Sequence, residues 1–371
     1  MSDLTVADIV KVMGDLAPRK YAAEWDNVGL ELGNPHNKVA HLLVALEVTD
    51  EVVDAAVGYG TDMIIMHHPL LFKAAETLRT DRPLGRKIAA LVRQDIAVYA
   101  AHTNFDVVDM GPSATLAQKL DLQEIKPLKP ASDLFKICCF VPQNSLEKVR
   151  DAISEAGAGN IGDYSHCTFS VSGKGTFLPH EGSNPTLGEV GYLSEVDEYK
   201  LETICPGAAV SQVIEDLYEH HPYEEPAYDI YPLSNENSQR GMGRIGELKE
   251  ALSLEELACK VAEICGRREV RMAAAESEPV KRVAVCGGAG SDFYKQSLKF
   301  GADVFITGDL THHTLCEILD CGLAVIDAGH RATEQPAMMR LCNYLQDNLD
   351  CRVDYLPLPP TVWSTASAVK D

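Results

Sequence analysis

Over residues 1 to about 125, short runs of branched apolar residues alternate with stretches of helical periodicity. "HLLVALEV" precedes "TDEVVDAAV", "TDMIIM" precedes a loop and "LGRKIAALVRQ", and "DIAVYAAH" follows. Short apolar runs bounded by turn residues read as buried strands. Their alternation with helices predicts βαβ units and a largely parallel sheet. The same rhythm returns from about residue 241, where "KRVAVCGG", "GADVFITG" and "GLAVIDAG" are separated by helix-like segments such as "HTLCEILDC".

The intervening chain has a different pattern. Between "KPLKPASD" and the polar linker "SNENSQRGMG", turn-rich strings such as "GAGAGNIGDY" and "EGSNPTLGEVG" separate aromatic strand-like runs from two amphipathic helices, "SLEKVRDAISEAG" and "GAAVSQVIEDLYEHH". Apolar residues recur there at three- and four-residue spacing. The predicted architecture is an α/β core in two parts, residues 1–128 and 241–371, interrupted by an α+β domain at 129–235.

Composition narrows the function classes. The 371 residues are 46% hydrophobic, enough for globular cores without staples. All 11 cysteines lie after residue 137 without a C-x-x-C pair, so reduced, mostly buried thiols are expected rather than disulfides or a Cys-ligated zinc. The N-terminal "MSDLTVADIVKV" has no signal-peptide pattern and no apolar run is long enough to span a bilayer, which predicts a soluble, cytoplasmic protein with no membrane partner. The formal net charge of −22 disfavours nucleic acid, whose phosphates call for clustered Lys and Arg. A small-molecule substrate or a protein partner is expected instead.

Three of the apolar runs end in residue types that bind metals. "MIIMHH" ends at His67 and His68, "AVYAAHTNFD" carries His102 and Asp106, and "AVIDAGHRATE" carries Asp327, His330 and Glu334. Ligands of open α/β sheets bind beyond the carboxyl ends of strands, so these ends can converge. His330 and Glu334, four apart at the start of a predicted helix, share one face. A lone histidine at a strand end is more often a hydrogen-bonded structural residue; the clustering changes that reading. His67, His68, Asp106, His330 and Glu334 form an N/O set suited to zinc, iron or manganese. Five ligands exceed one closed tetrahedral site, which points to two divalent ions with open positions. His102 reads as packing or as an orienting group about as readily as it reads as a ligand. His312 and His313 in "TGDLTHHTL" are ambiguous between substrate contact and the start of a helix.

The strings "EWDNVGL", "MHHPLLF", "AHTNFD", "GRIGEL", "VAVCGGAG", "ITGDLTHH" and "DAGHRATE" occur in the order seen in the Nif-three-like family, often called GTP cyclohydrolase 1 type 2 homologs, which the chain resembles over nearly its whole length. The resemblance implies a two-metal protein with these five residues as ligands and Glu334 bridging the ions. "GAGAGNIGDYSHCTFS", "GKGTFLP" and "HPYEEPAYDIYPL" are similar to the insertion of longer members, which implies a ferredoxin-like, CutA/PII-like domain. His220, His221, Glu224 and Glu225 in that last string read as an edge or turn with exposed acids rather than a second metal site. By the same resemblance the chain is expected to form a homo-oligomer, a hexamer whose metal sites face an internal cavity.

Two functions follow. One is a metal-dependent hydrolase of a nucleotide or related metabolite, as the family label implies, with Arg244 or the "CGGAG" turn positioning an anion, although a structural salt bridge is the commoner use of such an arginine. No P-loop accompanies that turn, and a tight strand-to-helix connection accounts for it equally well. The alternative is a non-catalytic metal-binding scaffold, carrier or regulator. In "EWDNVGL", Asn27 is expected to make a polar contact near the site and Trp25 to be packed.

Overall fold

The computed structural model describes residues 4–131, 133–235, 237–274 and 279–362. The chain forms two compact units, one of residues 1–131 with 238–371 and the other of residues 132–237.

The first unit holds two main sheets. In the five-stranded one, Gly29–Leu32, Ala97–Ala100, Met63–Met66, His41–Ala45 and Arg352–Leu356 lie in that order. Only the pairing of Gly29–Leu32 with Ala97–Ala100 is antiparallel. Every residue of His41–Ala45, Met63–Met66 and Ala97–Ala100 is buried, which is why these strands read as unbroken apolar runs: helices cover both faces of such a sheet.

The second sheet departs from the sequence expectation. Its order is Arg271–Ala273, Ala324–Asp327, Val304–Thr307, Val280–Val285, Arg244–Leu252 and Gln123–Lys126. Parallel pairing is confined to the three strands of the βαβ rhythm. The strands added outside them, Arg271–Ala273, Arg244–Leu252 and Gln123–Lys126, all pair antiparallel. They enter from outside the crossover units, so no right-handed βαβ connection imposes a direction on them.

Helix His330–Asn348 spans two cores. Its Ala332 packs with the second sheet's cluster, while Ala337, Met338, Leu341 and Leu345 pack with the first. Its first turn therefore sits where both sets of parallel strands end.

In the second unit Leu134–Pro142, helix Leu146–Glu155, Thr168–Phe177, Ser194–Pro206, helix Val210–His220 and Tyr228–Pro232 follow one another. The sheet order is fourth, first, third, second strand, antiparallel throughout. Ile137, Cys139, Val141, Leu201 and Cys205 face Val149, Ile153, Val213 and Leu217 of the helices, so a single face of the sheet carries this core. Among the described residues no cysteine forms a disulfide. No helix among the described residues is long and apolar enough to cross a membrane.

Candidate metal centre

The first unit brings His67, His68, His102, Asp106, His330 and Glu334 together. His67 and His68 leave the buried strand Met63–Met66, and His330 and Glu334 occupy one face of the first turn of helix His330–Asn348. Asp106 ends the short helix Thr103–Asp106 that follows Ala97–Ala100. The imidazole Nε2 of His67 lies 3.6 Å from Asp106 Oδ1 and 3.5 Å from Glu334 Oε1. His68 Nε2 is 3.0 Å from Glu334 Oε2 and 3.3 Å from His330 Nε2, which is itself 3.3 Å from Glu334 Oε1. Two groups, His68 with His330 and Glu334 and His67 with His68 and His102, each place ligand atoms within 4.8 Å of one another and could hold a metal ion.

The other ring nitrogens are already engaged. His67 Nδ1 donates to Ala101 O at 2.8 Å, His330 Nδ1 to Asp309 Oδ2 at 2.8 Å and His102 Nδ1 to Asp26 Oδ1 at 2.9 Å. This is the support that ligating histidines carry, because it fixes the tautomer and turns Nε2 inward. His67 is fully buried and Glu334 nearly so, yet His67 Nε2 and Glu334 Oε2 make no aligned hydrogen bond. Burying such atoms without partners is costly, so something other than this protein's own donors is expected to satisfy them.

Electrostatics point the same way. Burial opposes the charged form of His67, but Glu334 and Asp106 outweigh it and raise the pKa to about 9. Contact with Glu334 raises His330 to about 9 against the pull of burial. Burial alone would raise Glu334, but the imidazoles of His67, His330 and His68 hold it well below the carboxylate range. Asp106 is raised, chiefly by burial. A divalent cation replaces the protons such a cluster gathers, and its N/O donors suit one.

The supporting residues were only partly legible in the sequence. Asp26 also accepts from Thr103 N at 3.0 Å, and burial is outweighed by His102 and Thr103, so its pKa falls to about 2. Asn27 Nδ2 donates to Leu71 O at 2.8 Å and Glu31 Oε1 at 2.9 Å, and Glu31 Oε2 accepts from Leu70 N at 2.8 Å. "EWDNVGLEL" is therefore a clamp on the loop after His68. Trp25 is not packed as expected: it is 62% exposed and borders His102 and Phe72 with ring centroids 6.1 and 5.7 Å away. Asp309 went unrecognised; it follows the strand Val304–Thr307 with a φ of +57°, unusual for a non-glycine residue.

Two anion-binding candidates are corrected. Arg244 is 1% exposed and donates to Gly241 O at 2.6 Å, Gly243 O at 2.8 Å, Val107 O at 3.3 Å and Asp109 Oδ1 at 3.1 Å. Its fork is filled by the chain itself. In the "CGGAG" turn Gly287 N donates to Ser113 Oγ, Gly288 N to Thr333 Oγ1 and Gly290 N to Thr307 Oγ1. The glycines instead allow close approach: a Cβ on Gly288 would sit 2.4 Å from Glu334 Oε1. Asp327, grouped with His330 in the sequence, pairs with Arg271 and accepts from Gly329 N. His312 and His313 begin helix His312–Asp320 and are exposed. His221 is structural, with Nε2 on Phe140 O at 3.0 Å.

A cavity of about 1000 Å³ adjoins His68 and His330 and is also lined by Arg267, Arg271, Arg331 and Asp309. Arg271 pairs with Asp327 and Arg331 with Glu47, whereas among the described residues no carboxylate pairs with Arg267.

Residues 4–358 match the model of the Duf34/NIF3 (NGG1p interacting factor 3) family. The chain belongs to the NIF3 family. It is 42% identical over 326 residues to a Bacillus subtilis (strain 168) protein named GTP cyclohydrolase 1 type 2 homolog, covering 87% of each chain. A Mycobacterium tuberculosis (strain ATCC 25618 / H37Rv) protein of the same name is 37% identical over 337 residues, 89% of this chain and 88% of that one. Among solved structures, a Bacillus cereus protein related to NIF3 aligns over 99% of this NIF3-family chain and 100% of its own with a TM-score of 0.86 and 36% identity. Staphylococcus aureus protein SA1388 aligns over the same shares with a TM-score of 0.75 and 28% identity.

Proposed function

We propose that this NIF3-family chain holds two divalent metal ions, zinc, iron or manganese, through His67, His68, Asp106, His330 and Glu334, with Glu334 shared between them, and uses them to hydrolyse a nucleotide or related small metabolite. The observation that carries the reading is that two buried atoms in this cluster of N/O donors, His67 Nε2 and Glu334 Oε2, make no aligned hydrogen bond. When bound, the ions supply Lewis acidity, polarising the substrate and making water a better nucleophile. The chain's own residues do the rest. Asp309, Asp26 and Ala101 O fix the imidazoles, and the clamp of Asn27 and Glu31 holds the loop that follows His68. The adjoining cavity is of a size for a nucleotide, and Arg267 is the guanidinium available to its anionic part. The name shared by the relatives agrees with a hydrolytic role.

The β-α-β-β-α-β order of the second unit and its antiparallel sheet support the CutA/PII-like, ferredoxin-type reading of the insertion. We infer that it is an independent domain: joining residue 128 to 241 through a short flexible linker should leave a folded, metal-binding core. We also infer a homo-oligomer, a hexamer by analogy with the family, which light scattering tests. For the central proposal, elemental analysis should find up to two ions per chain, and metal-loaded protein should turn over a component of a metabolite mixture that His67→Ala leaves untouched. Full metal without turnover would favour a carrier or scaffold; absence of metal from folded protein would overturn the proposal.

A further inference from the structure

We propose that the second unit carries its own small-molecule site, independent of the metal centre: a cavity that takes an apolar molecule bearing a protonated amine, with Glu198 as the counter-charge. In strand Ser194–Pro206, Leu201 and Cys205 point to the helices, so the alternate positions Glu198 and Lys200 point to the helix-free face. Phe140 and Val171 stand opposite Lys200 in register and share that face. A helix-free face is ordinarily solvated, yet Glu198 is only 8% exposed. The segment after strand Thr168–Phe177 covers it, pinned by Asn184 N donating to Glu224 Oε2 at 3.0 Å and Thr186 Oγ1 to Pro222 O at 2.7 Å.

The cavity, open on one side, is about 680 Å³, within the range of small-molecule sites, and its walls are mostly apolar, with Phe140, Val171, Phe177, Leu178 and Leu187 contributing. Three carboxylates line it, Glu198, Glu224 and Glu225, and of these Glu198 is the buried one. Lys174 pairs with Glu195 and Lys200 with Glu202. Among the described residues no cation pairs with Glu198, which the Tyr223 hydroxyl approaches. His221 is spent: its Nδ1 accepts from Tyr223 N and its Nε2 donates to Phe140 O. A carboxylate offers about four lone-pair positions, so most of the acceptor capacity of Glu198 remains open. Gly175 of "GKGTFLP" makes room for it, since a Cβ there would lie 2.1 Å from Glu198 Oε2. An ammonium on an apolar body satisfies the buried carboxylate and fills the walls together.

The test is calorimetry of the full-length protein with three probes that share one phenylethyl body: 2-phenylethylamine, 2-phenylethanol and 3-phenylpropionate. The amine should bind on the order of tenfold more tightly than the alcohol, because it alone makes a charge-assisted bond, and the propionate should not bind. Glu198→Gln should erase the preference for the amine. Val171→Trp, a half-exposed position on the wall, should block all binding while metal content stays unchanged, and it carries the test if Glu198→Gln does not fold. Equal binding of amine and alcohol, preference for the propionate, unchanged amine affinity in either folded variant, or no binding of any probe would each overturn the assignment.

Discussion

Arg244 and Glu334 are both buried charged side chains of the first unit, at 1% and 4% exposure, and the protein treats them in opposite ways. The nook around Arg244 is closed: four protein acceptors meet the guanidinium, three of them backbone carbonyls. The strand-end cluster around Glu334 is open: three imidazoles and two carboxylates crowd together, and two of their buried atoms find no aligned partner. Burial and charge are common to both places. What separates a structural charge from a site is whether the chain itself completes the hydrogen bonding.

The largest effect should come from breaking the closed region. Arg244→Met leaves carbonyls of Gly241, Gly243 and Val107 buried without their donor. Losing one partner of such a network typically costs about 3–5 kcal/mol, so the denaturant midpoint should fall steeply. Metal bound per folded molecule should not change. Loss of metal from folded Arg244→Met would erase the distinction between the two regions.

Glu334→Gln should do the reverse. In metal-free protein the imidazoles of His67 and His330, whose pKa values Glu334 raises, can shed their protons when the carboxylate goes, so stability should change by about 1 kcal/mol. Metal content by elemental analysis should fall below one ion per chain. Wild-type protein at a hundredfold excess of metal over its dissociation constant should gain about 2.7 kcal/mol, and the variant should lose that gain. Retention of both ions would sink the shared-ligand assignment.

Gly288→Ala tests whether support from behind matters. The backbone there has a φ of +68°, and a Cβ would press within 2.4 Å of Glu334 Oε1. The strain should cost about 1–2 kcal/mol. Displacing the carboxylate should weaken metal binding by roughly tenfold or more, the scale of other changes behind a metal ligand. Wild-type affinity in this variant would mean that Glu334 tolerates movement.

The contrast explains what was legible. His67, His68, His330 and Glu334 stood out because strand ends announce themselves as apolar runs and the i, i+4 pair needs only helical spacing. The sequence could not decide between an anion contact and a structural role for Arg244, because it shows a charge but not which backbone carbonyls will surround it; Gly241 and Gly243 are near in sequence, but Val107 is not. The "CGGAG" turn takes the structural one of its two readings for the same reason: its amides meet hydroxyls of Ser113, Thr307 and Thr333, each distant along the chain. The antiparallel additions to the second sheet were missed for a related reason, since edge pairing depends on where the chain returns rather than on local pattern.

Glu31 stands between the two extremes and gives the smallest effect. It is partly buried, accepts from Leu70 N, Leu71 N and Asn27 Nδ2, and holds the loop after His68 without belonging to the cluster. Burial, which outweighs those hydrogen bonds, raises its pKa from 4.5 to about 7. A carboxyl that binds its proton more tightly when folded stabilises the fold fully below about pH 4.5, and that contribution is lost as pH rises through about 7. Discounted for partial exposure, the change is about 1 kcal/mol. Urea unfolding of wild type and Glu31→Gln across this range should therefore show a difference that shrinks or reverses as pH rises and is flat above pH 8. A difference that grows with pH would mean that the three donors outweigh burial, and Glu31 would join Arg244 among the charges that the chain itself completes.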